Sequence, residues 1–284
     1  MSAEGQAYTD WIGSEEQVEE TIALAPVLGL AATLDDTATR FQMGDPLPPL
    51  WHWLYFLPRV PQSAIGHDGH PQRGGFLPPV QLPRRMFAGA RTWFHTPIRI
   101  GFSGTRQGTV LSVKEKHGKT GGLVFVTVRY QIWQSDRLCV EEEQDIVYRE
   151  PGAPVAAPSR VQWPALPQGA WSRTITPDPM LLFRFSALTF NAHRIHYDRP
   201  YATAEEGYPG LVVHGPLTAI QLMELVRHHA KRSVGHFSFR GQAPLFDLAP
   251  YRVVAILDPE GTIELQAQGP DGRVTMSATA TLAE

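Results

Sequence analysis

The spacing of hydrophobic and polar positions changes several times along the chain, and each change predicts a different element. In residues 14–34 apolar side chains recur at Val18, Ile22 and Ala25, a helical spacing, with Ser14 as a capping residue and Gln17 three places on. Pro26 interrupts, and a second helical piece is expected over 27–34. Residues 44–83 are dense in proline, glycine and aromatics and read as a long ordered loop or lid. From 91 to 150, the stretches WFHTPIRIGF, RQGTVLSVKEKH, GLVFVTVRYQIWQ and LCVEEEQDIVYRE are rich in β-branched and aromatic residues, and HGKTGG and SDR read as turns between them. This predicts an antiparallel meander. Residues 151–169 hold five prolines and read as a linker.

Beyond the linker the pattern restarts. A strand is expected at 171–175, a short helix within 177–188, and a polar, aromatic loop over 191–210. Residues 216–232 predict a helix with Pro216 near its start and basic residues at its end. Leu217, Ile220, Leu222, Leu225 and Val226 give it a mostly apolar body, so it should be buried. Four strands follow, in VGHFSFRGQA, YRVVAILD, TIELQAQG and RVTMSATATLA. Each half is then a helix with an antiparallel sheet, an α+β fold repeated over 1–150 and 170–284. The repeat rests on element order alone, because the halves share little visible sequence.

Composition narrows the function classes. With 43% hydrophobic and 19% charged residues the chain can bury a sizeable core. A net charge of −3 and a pI near 6.4 argue against a general nucleic-acid binder, which needs a basic face. The single cysteine, Cys139, excludes an intrachain disulfide and a cysteine-based zinc site. No basic region followed by an apolar run opens the sequence, and no stretch of about 18 apolar residues occurs, so neither a signal peptide nor a membrane span is expected. The expected location is cytoplasmic.

Reactive residue types concentrate in FSALTFNAHRIHYDRP, residues 185–200, which holds Asn191, His193, His196 and Asp198. A second cluster, GYPGLVVHGPL at 207–217, leads into the buried helix. The free N–H groups of a helix start favour negative charge, and glycine at Gly215 lets a ligand approach. A proton carrier beside such a start suits addition across an α,β-unsaturated thioester, which needs a base and a trap for charge on the carbonyl oxygen.

Residues 185–217 resemble the MaoC-like hydratase/dehydratase family of hotdog-fold enzymes. In Asn191-Ala192-His193-Arg194-Ile195-His196, His196 matches the family's catalytic histidine. Asn191 stands where the family usually has aspartate, and His193 where it has asparagine. The wording SALTFNAHRIHYD is closer to the two-domain branch containing mesaconyl-CoA and itaconyl-CoA hydratases and mitochondrial-type 3-hydroxyacyl-thioester dehydratases. Trp51-His52-Trp53 and GHDGHPQRGGFLPPV at 66–80 resemble that branch's first domain. The resemblance implies a double hotdog, with a partly degenerate first domain shaping the acyl pocket and the second carrying the catalytic loop. It implies an acyl-CoA thioester and water as substrates, no organic cofactor or metal, and a homo-oligomer.

An amide cannot accept a proton as a carboxylate does, so His196 would lead the chemistry, with Asn191 orienting water and the Gly215 N–H holding the thioester oxygen. A neutral Asn191 also spares a substrate carboxylate a repulsion of roughly a few kcal/mol at about 4 Å. Arg84, Arg85 or Arg194 would bind that carboxylate. His193, Tyr197 and His214 are expected to line or brace the site, and Arg240, with Lys231 and Arg232, to meet CoA phosphates. Plainer readings stand beside these. His67, Asp68 and His70 are metal-type donors, but the glycine- and proline-rich setting reads as turn chemistry. Asp198 anchors Arg199 or a loop amide. Glu141, Glu142 and Glu143 form the solvated face of a strand, and Trp51, Trp53, Tyr55 and Phe56 belong to the core. The alternatives to a branched dicarboxylic enoyl-CoA hydratase are a 3-hydroxyacyl-thioester dehydratase of fatty-acid synthesis and a silent acyl-thioester-binding protein.

Overall fold

A computed structural model describes residues 7–118, 121–158 and 160–283. Ten strands form one antiparallel sheet: β1 (Glu15–Thr21), β2 (Arg84–Phe94), β3 (Ser103–Gly118), β4 (Gly121–Gln134), β5 (Arg137–Arg149), β6 (Trp171–Ile175), β7 (Val234–Gly241), β8 (Tyr251–Leu257), β9 (Thr262–Gln268) and β10 (Val274–Leu282). The helices are α1 (Leu24–Thr33), α2 (Pro179–Leu188) and α3 (Gly215–His229). The strand order is β1-β3-β4-β5-β2-β7-β10-β9-β8-β6. Read inward from either edge it is the same sequence of elements, so the halves are related by a pseudo-twofold axis at the β2–β7 seam. There Gly89 faces Arg240 and Trp93 faces His236. A Cβ on Gly89 would lie 2.4 Å from the carbonyl oxygen of Phe239, so only glycine lets the seam close.

The halves differ in what the sheet covers. In the second half α3 packs on β6, β8, β9 and β10. Leu217, Ile220, Leu222 and Val226 are fully buried and Leu225 nearly so, as the sequence predicts. Each such side chain contributes about 1.5–3 kcal/mol through burial. In the first half, a single 3-10 turn at Trp51–Leu54 stands where α3 would stand. Its Trp51, with Tyr55 and Phe56, fills the core as expected.

Several expectations are corrected. Residues 15–21 are strand β1, not helix: the burial alternates with period two, and the inward Glu16 pairs with Arg106 at 2.7 Å. Val18 and Ile22, four apart, satisfy both periods, which is why the spacing misled. The expected helix at 27–34 is α1, in which Pro26 lies in the first turn where no N–H is required. Strand β2 ends at Phe94, before Pro97, and the backbone of Ile98 instead bonds the loop at Leu47. Residues 151–158 and 160–170 are irregular but docked rather than a free tether: Trp163 Nε1 donates to the carbonyl of Gly269 at 2.7 Å, and Arg252 donates to that of Pro164 at 2.9 Å. This segment connects β5 to the far edge strand β6, six strand steps or roughly 29 Å away. Glu142 is buried, accepting from Trp53 and Thr92 and pairing with His52 at 3.1 Å, because one of three consecutive strand residues must face inward. Among the described residues no helix is long and apolar enough to cross a membrane.

Candidate functional site

The site is built where α2 ends. Phe190 takes a left-handed φ of 48°, with its N–H bonded to Ala187 O and that of Asn191 bonded to Ser186 O at 2.8 Å. These are the two bonds of a Schellman stop, which turns the chain sharply out of the helix. Asn191 Oδ1 then accepts from the N–H of His193 at 3.0 Å, and a 3-10 turn, Arg194–His196, carries the catalytic candidate back inward.

His196 is 7% exposed. Its Nδ1–H donates to the carbonyl oxygen of Val212 at 2.7 Å, which leaves the Nε2 lone pair free. Burial pushes its pKa down to about 4, against the opposing pull of the Val212 carbonyl and with a further push from His70. The ring is therefore neutral near pH 7, the state a base requires. It stacks on His214 at 3.6 Å between centroids. His214 is the residue before α3, bonds Ser186 Oγ through Nε2 at 2.9 Å, and has a buried Nδ1 with no partner among the described residues. The His214 side chain, at the N-cap, makes no capping bond to α3. A Cβ on Gly215 would have Phe87 O as its nearest neighbour, at 3.9 Å, an ordinary contact distance.

The loop read as turn chemistry belongs to this site. Gly69 (φ 90°) lies so close to the loop of residues 191–193 that a Cβ would sit 1.8 Å from Ala192 O. Asp68 O accepts from Arg194 N at 2.9 Å. Asp68 Oδ2 meets His70 Nδ1 at 3.1 Å, and the His70 ring lies 4.0 Å from that of His193, itself 5.4 Å from His196. The donor atoms of Asp68, His70 and His193 all fall within 4.8 Å of one another. His67 turns away to Glu205 at 2.8 Å, outside this group. Sequence reasoning missed Asp68 and His70 as site residues. The one available signal was the density of ionisable residues in GHDGHP.

The remaining expected residues divide. Arg85 has no ion-pair partner among the described residues, and its positive charge acts on both His70 and His193. Arg84 is engaged by Glu206 at 2.9 Å. Arg194 is engaged by Asp198 at 2.9 Å and lies over the Tyr201 ring. Asp198 thus anchors Arg194 and the amide of Tyr201, whereas Arg199 pairs with Asp247. Tyr197 is 47% exposed, and Arg240 is exposed on β7. Lys231 and Arg232 sit beyond the far end of α3, about 22 Å from its start by helix rise.

A cavity of 640 Å³ opens near Lys231 and Arg232, lined by Phe41, Leu47, Phe94, Met223 and Val226, and His196 is not part of it. It lies between the first half's loops, residues 39–52 and 94–98, and the far end of α3 with the residues that follow it. Two matching backbone bridges, Pro46 to Arg99 and Val212 to Phe246, relate the halves here. Counting two and three residues on, Pro48 and Pro49 occupy the places of His214 and Gly215. Proline has no N–H, so this counterpart has no backbone donor for an oxyanion.

The buried imidazoles make stability pH-dependent. The folded pKa of His196 lies below its unfolded value of 6.5, so the unfolded chain binds the extra proton. Stability is complete above pH 6.5 and falls as pH drops toward 4, by about 3 kcal/mol from this group. Burial shifts His70, His193 and His214 in the same direction. Unfolding free energy measured between pH 7 and 4.5 should fall more steeply for the wild type than for His196→Gln. Equal slopes would contradict the assignment.

The hydroxyacyl-thioester dehydratase type 2 family model matches residues 50–247. The chain is 62% identical over 273 residues to mesaconyl-C(4)-CoA hydratase of Chloroflexus aurantiacus, covering 96% of each. It is 28% identical to the mitochondrial hydroxyacyl-thioester dehydratase type 2 of Schizosaccharomyces pombe, over 83% of this chain and 88% of that one. In fold it is similar to a MaoC-like dehydratase from Phytophthora capsici (TM-score 0.68, 16% identity, 96% of each chain). It is likewise similar to a double-hotdog protein of Mycobacterium tuberculosis (TM-score 0.58, 14% identity, 97% of this chain and 98% of that one). With the family model spanning both halves and the sheet doubled about β2–β7, the chain belongs to the hydroxyacyl-thioester dehydratase type 2 family of double-hotdog proteins.

Proposed function

We propose that this protein is a hydro-lyase that reversibly adds water to an enoyl-CoA thioester, with a short branched dicarboxylic acyl group of the mesaconyl or itaconyl type as its substrate. The observation that carries the reading is the neutral His196 ring, its Nε2 free, stacked on the residue that leads into the uncapped start of α3. His196 takes a proton from water as the oxygen attacks the β-carbon, and the Gly215 N–H stabilises the negative charge on the thioester oxygen. Asn191, whose Oδ1 is occupied by His193, orients the water through its side-chain NH2. Arg85 binds the distal carboxylate.

In this reading residues 1–150 supply the pocket wall and Arg85, residues 151–169 strap the halves, and residues 170–284 carry the catalytic loop. The identity to mesaconyl-C(4)-CoA hydratase supports the dicarboxylic substrate. The Schizosaccharomyces pombe relative supports the second reading, dehydration of 3-hydroxyacyl thioesters in fatty-acid synthesis. The exposed Met180, Phe183 and Phe190 in and beside α2 support assembly with further copies of the chain, and the free, buried Cys139 is compatible with a cytoplasmic setting.

Turnover on mesaconyl-C(4)-CoA, itaconyl-CoA, crotonyl-CoA and carrier-bound 3-hydroxyacyl chains tests the assignment. Arg85→Ala should raise KM for the dicarboxylic thioesters by about 10- to 100-fold, the loss of one charged hydrogen-bonded pair of about 1.5–3 kcal/mol, and leave crotonyl-CoA unchanged. Equal effects on both substrate types would remove Arg85 from the pocket.

A further inference from the structure

The pseudo-twofold gives the His196 site a counterpart, and the 640 Å³ cavity lies there, with the loop at Pro46 standing where that at Val212 stands in the second half. Counting eight residues on from the last residues of α1 and α2, Thr33 and Leu188, puts Phe41 at the place of His196. Phe41 lines the cavity and packs on Trp51, 5.3 Å between ring centroids. With phenylalanine for the base and prolines for His214 and Gly215, those positions offer no proton acceptor and no oxyanion donor. The cavity is nevertheless built to hold a ligand. Its volume falls within the roughly 300–1,000 Å³ of ligand pockets, and its walls are mostly apolar. One buried polar ring, His52, stands in the wall. Burial works against ionisation of Glu142, but His52, Gln144 and Trp53 hold its carboxyl below the usual range, so it accepts. His52 Nε2 therefore donates to Glu142 at 3.1 Å, and Nδ1, without a hydrogen-bond partner among the described residues, is the ring atom left for a ligand. Arg40, Lys231 and Arg232 are exposed on the lining, and none has an ion-pair partner among the described residues. Arg227, also on the lining, is engaged by Glu224 and Asp36. Asp45 is the one acidic residue among those described there. In a chain of net charge −3 this is a local excess of positive charge, which draws anions.

We propose that this cavity is a second CoA-thioester site, one that binds without turnover. The acyl group and pantetheine arm lie among Phe41, Leu47 and Met223, an amide of the arm meets His52 Nδ1, and the phosphates meet Arg40, Lys231 and Arg232. A slender chain with a few amides and a highly charged end matches apolar walls, one polar ring and a cationic mouth. A fatty acid would fill the same walls but set a single charge against three cations. The doubled sheet provides two equivalent positions, and the residues at Phe41, Pro48 and Pro49 withhold the chemistry from one of them while leaving its space and charge. The proposal goes beyond the hydratase reading, which concerns the His196 site alone.

The test is equilibrium dialysis of butyryl-CoA, which has no double bond to hydrate, against the wild type, Leu47→Trp and Arg40→Glu. The wild type should bind two equivalents per chain and Leu47→Trp, which fills the cavity, one fewer. Arg40→Glu should weaken one of the two binding steps about 10-fold, the loss of one charged contact. Equal stoichiometry in the wild type and Leu47→Trp overturns the proposal. If Leu47→Trp does not fold, Arg40→Glu, at an exposed position, decides: unchanged affinity in both steps overturns it. Decanoate provides a second arm. If Leu47→Trp abolishes binding of decanoate while the wild type takes up no second butyryl-CoA, the occupant is a fatty acid and the proposal fails. Turnover separates this outcome from that of the hydratase reading. A wild type that hydrates enoyl-CoA but binds one butyryl-CoA, as both variants do, sinks the second site alone. A wild type that hydrates none, yet binds a butyryl-CoA that Leu47→Trp removes, sinks the hydratase reading and supports the second site.

Discussion

His196→Gln is expected to lower kcat by about 10²- to 10⁴-fold, the range for losing a positioned general base, or about 3–5 kcal/mol of transition-state stabilisation. Glutamine keeps a polar side chain of similar size, with an amide donor and a carbonyl acceptor. What it lacks is a lone pair that takes a proton. KM should stay within a few-fold, because in the proposed mechanism His196 acts on water and not on the CoA or acyl group. The pH profile provides a second reading. Because burial holds His196 near pKa 4, wild-type kcat/KM should persist well below pH 6.5 and fall only as pH approaches 4. The variant's residual activity should lack that limb. A kcat within about tenfold of wild type would show that another group takes the proton from water.

The sequence made this residue legible because its neighbourhood is local. Asn191, His193 and His196 are joined by an Asx turn and a single 3-10 turn, and Val212 to Gly215 lie one short loop away. The buried body of α3 was equally readable, since one apolar surface runs along consecutive turns. Residues joined by distant parts of the chain were not. Asp68 meets Arg194 across 126 residues, and GHDGHP by itself has the composition of any tight turn. Glu142 failed for a related reason: three glutamates in a row read as solvated until strand pairing fixes which one turns inward toward His52. Strand β1 failed because Val18 and Ile22 fit two periods, and only pairing with β3 decides between them. Arg84, Arg85 and Arg194 were indistinguishable as charges. Glu206 and Asp198, which engage two of the three, separate them only after folding.

Gly69→Ala tests whether the close packing of the two loops matters to the chemistry. The residue has φ 90°, and the new Cβ would sit 1.8 Å from Ala192 O, 2.6 Å from Ala192 C and 3.1 Å from His193 Cα. These are backbone atoms of the loop that leads to His196 and cannot rotate away, so one loop must move by more than an ångström. Either motion stretches the 2.9 Å bond between Arg194 N and Asp68 O and separates His70 from His193. Gly44→Ala is the matched control: it has the same φ of 90° with nothing within 4 Å of the new Cβ, so it isolates the dihedral cost of about 1–3 kcal/mol. Both variants should lose thermal stability by a few degrees, at roughly 2–4 °C per kcal/mol or less for a chain this long. Only Gly69→Ala should also lose kcat, by about 100-fold, because a displacement near 1 Å in a positioned site costs about that much. The measurement is kcat at a temperature where both variants remain folded. If the two fall together, the loops' contact is structural only. If Gly69→Ala falls alone, the first half's contribution to the reaction is geometric, reaching His196 through the backbone contact at Ala192.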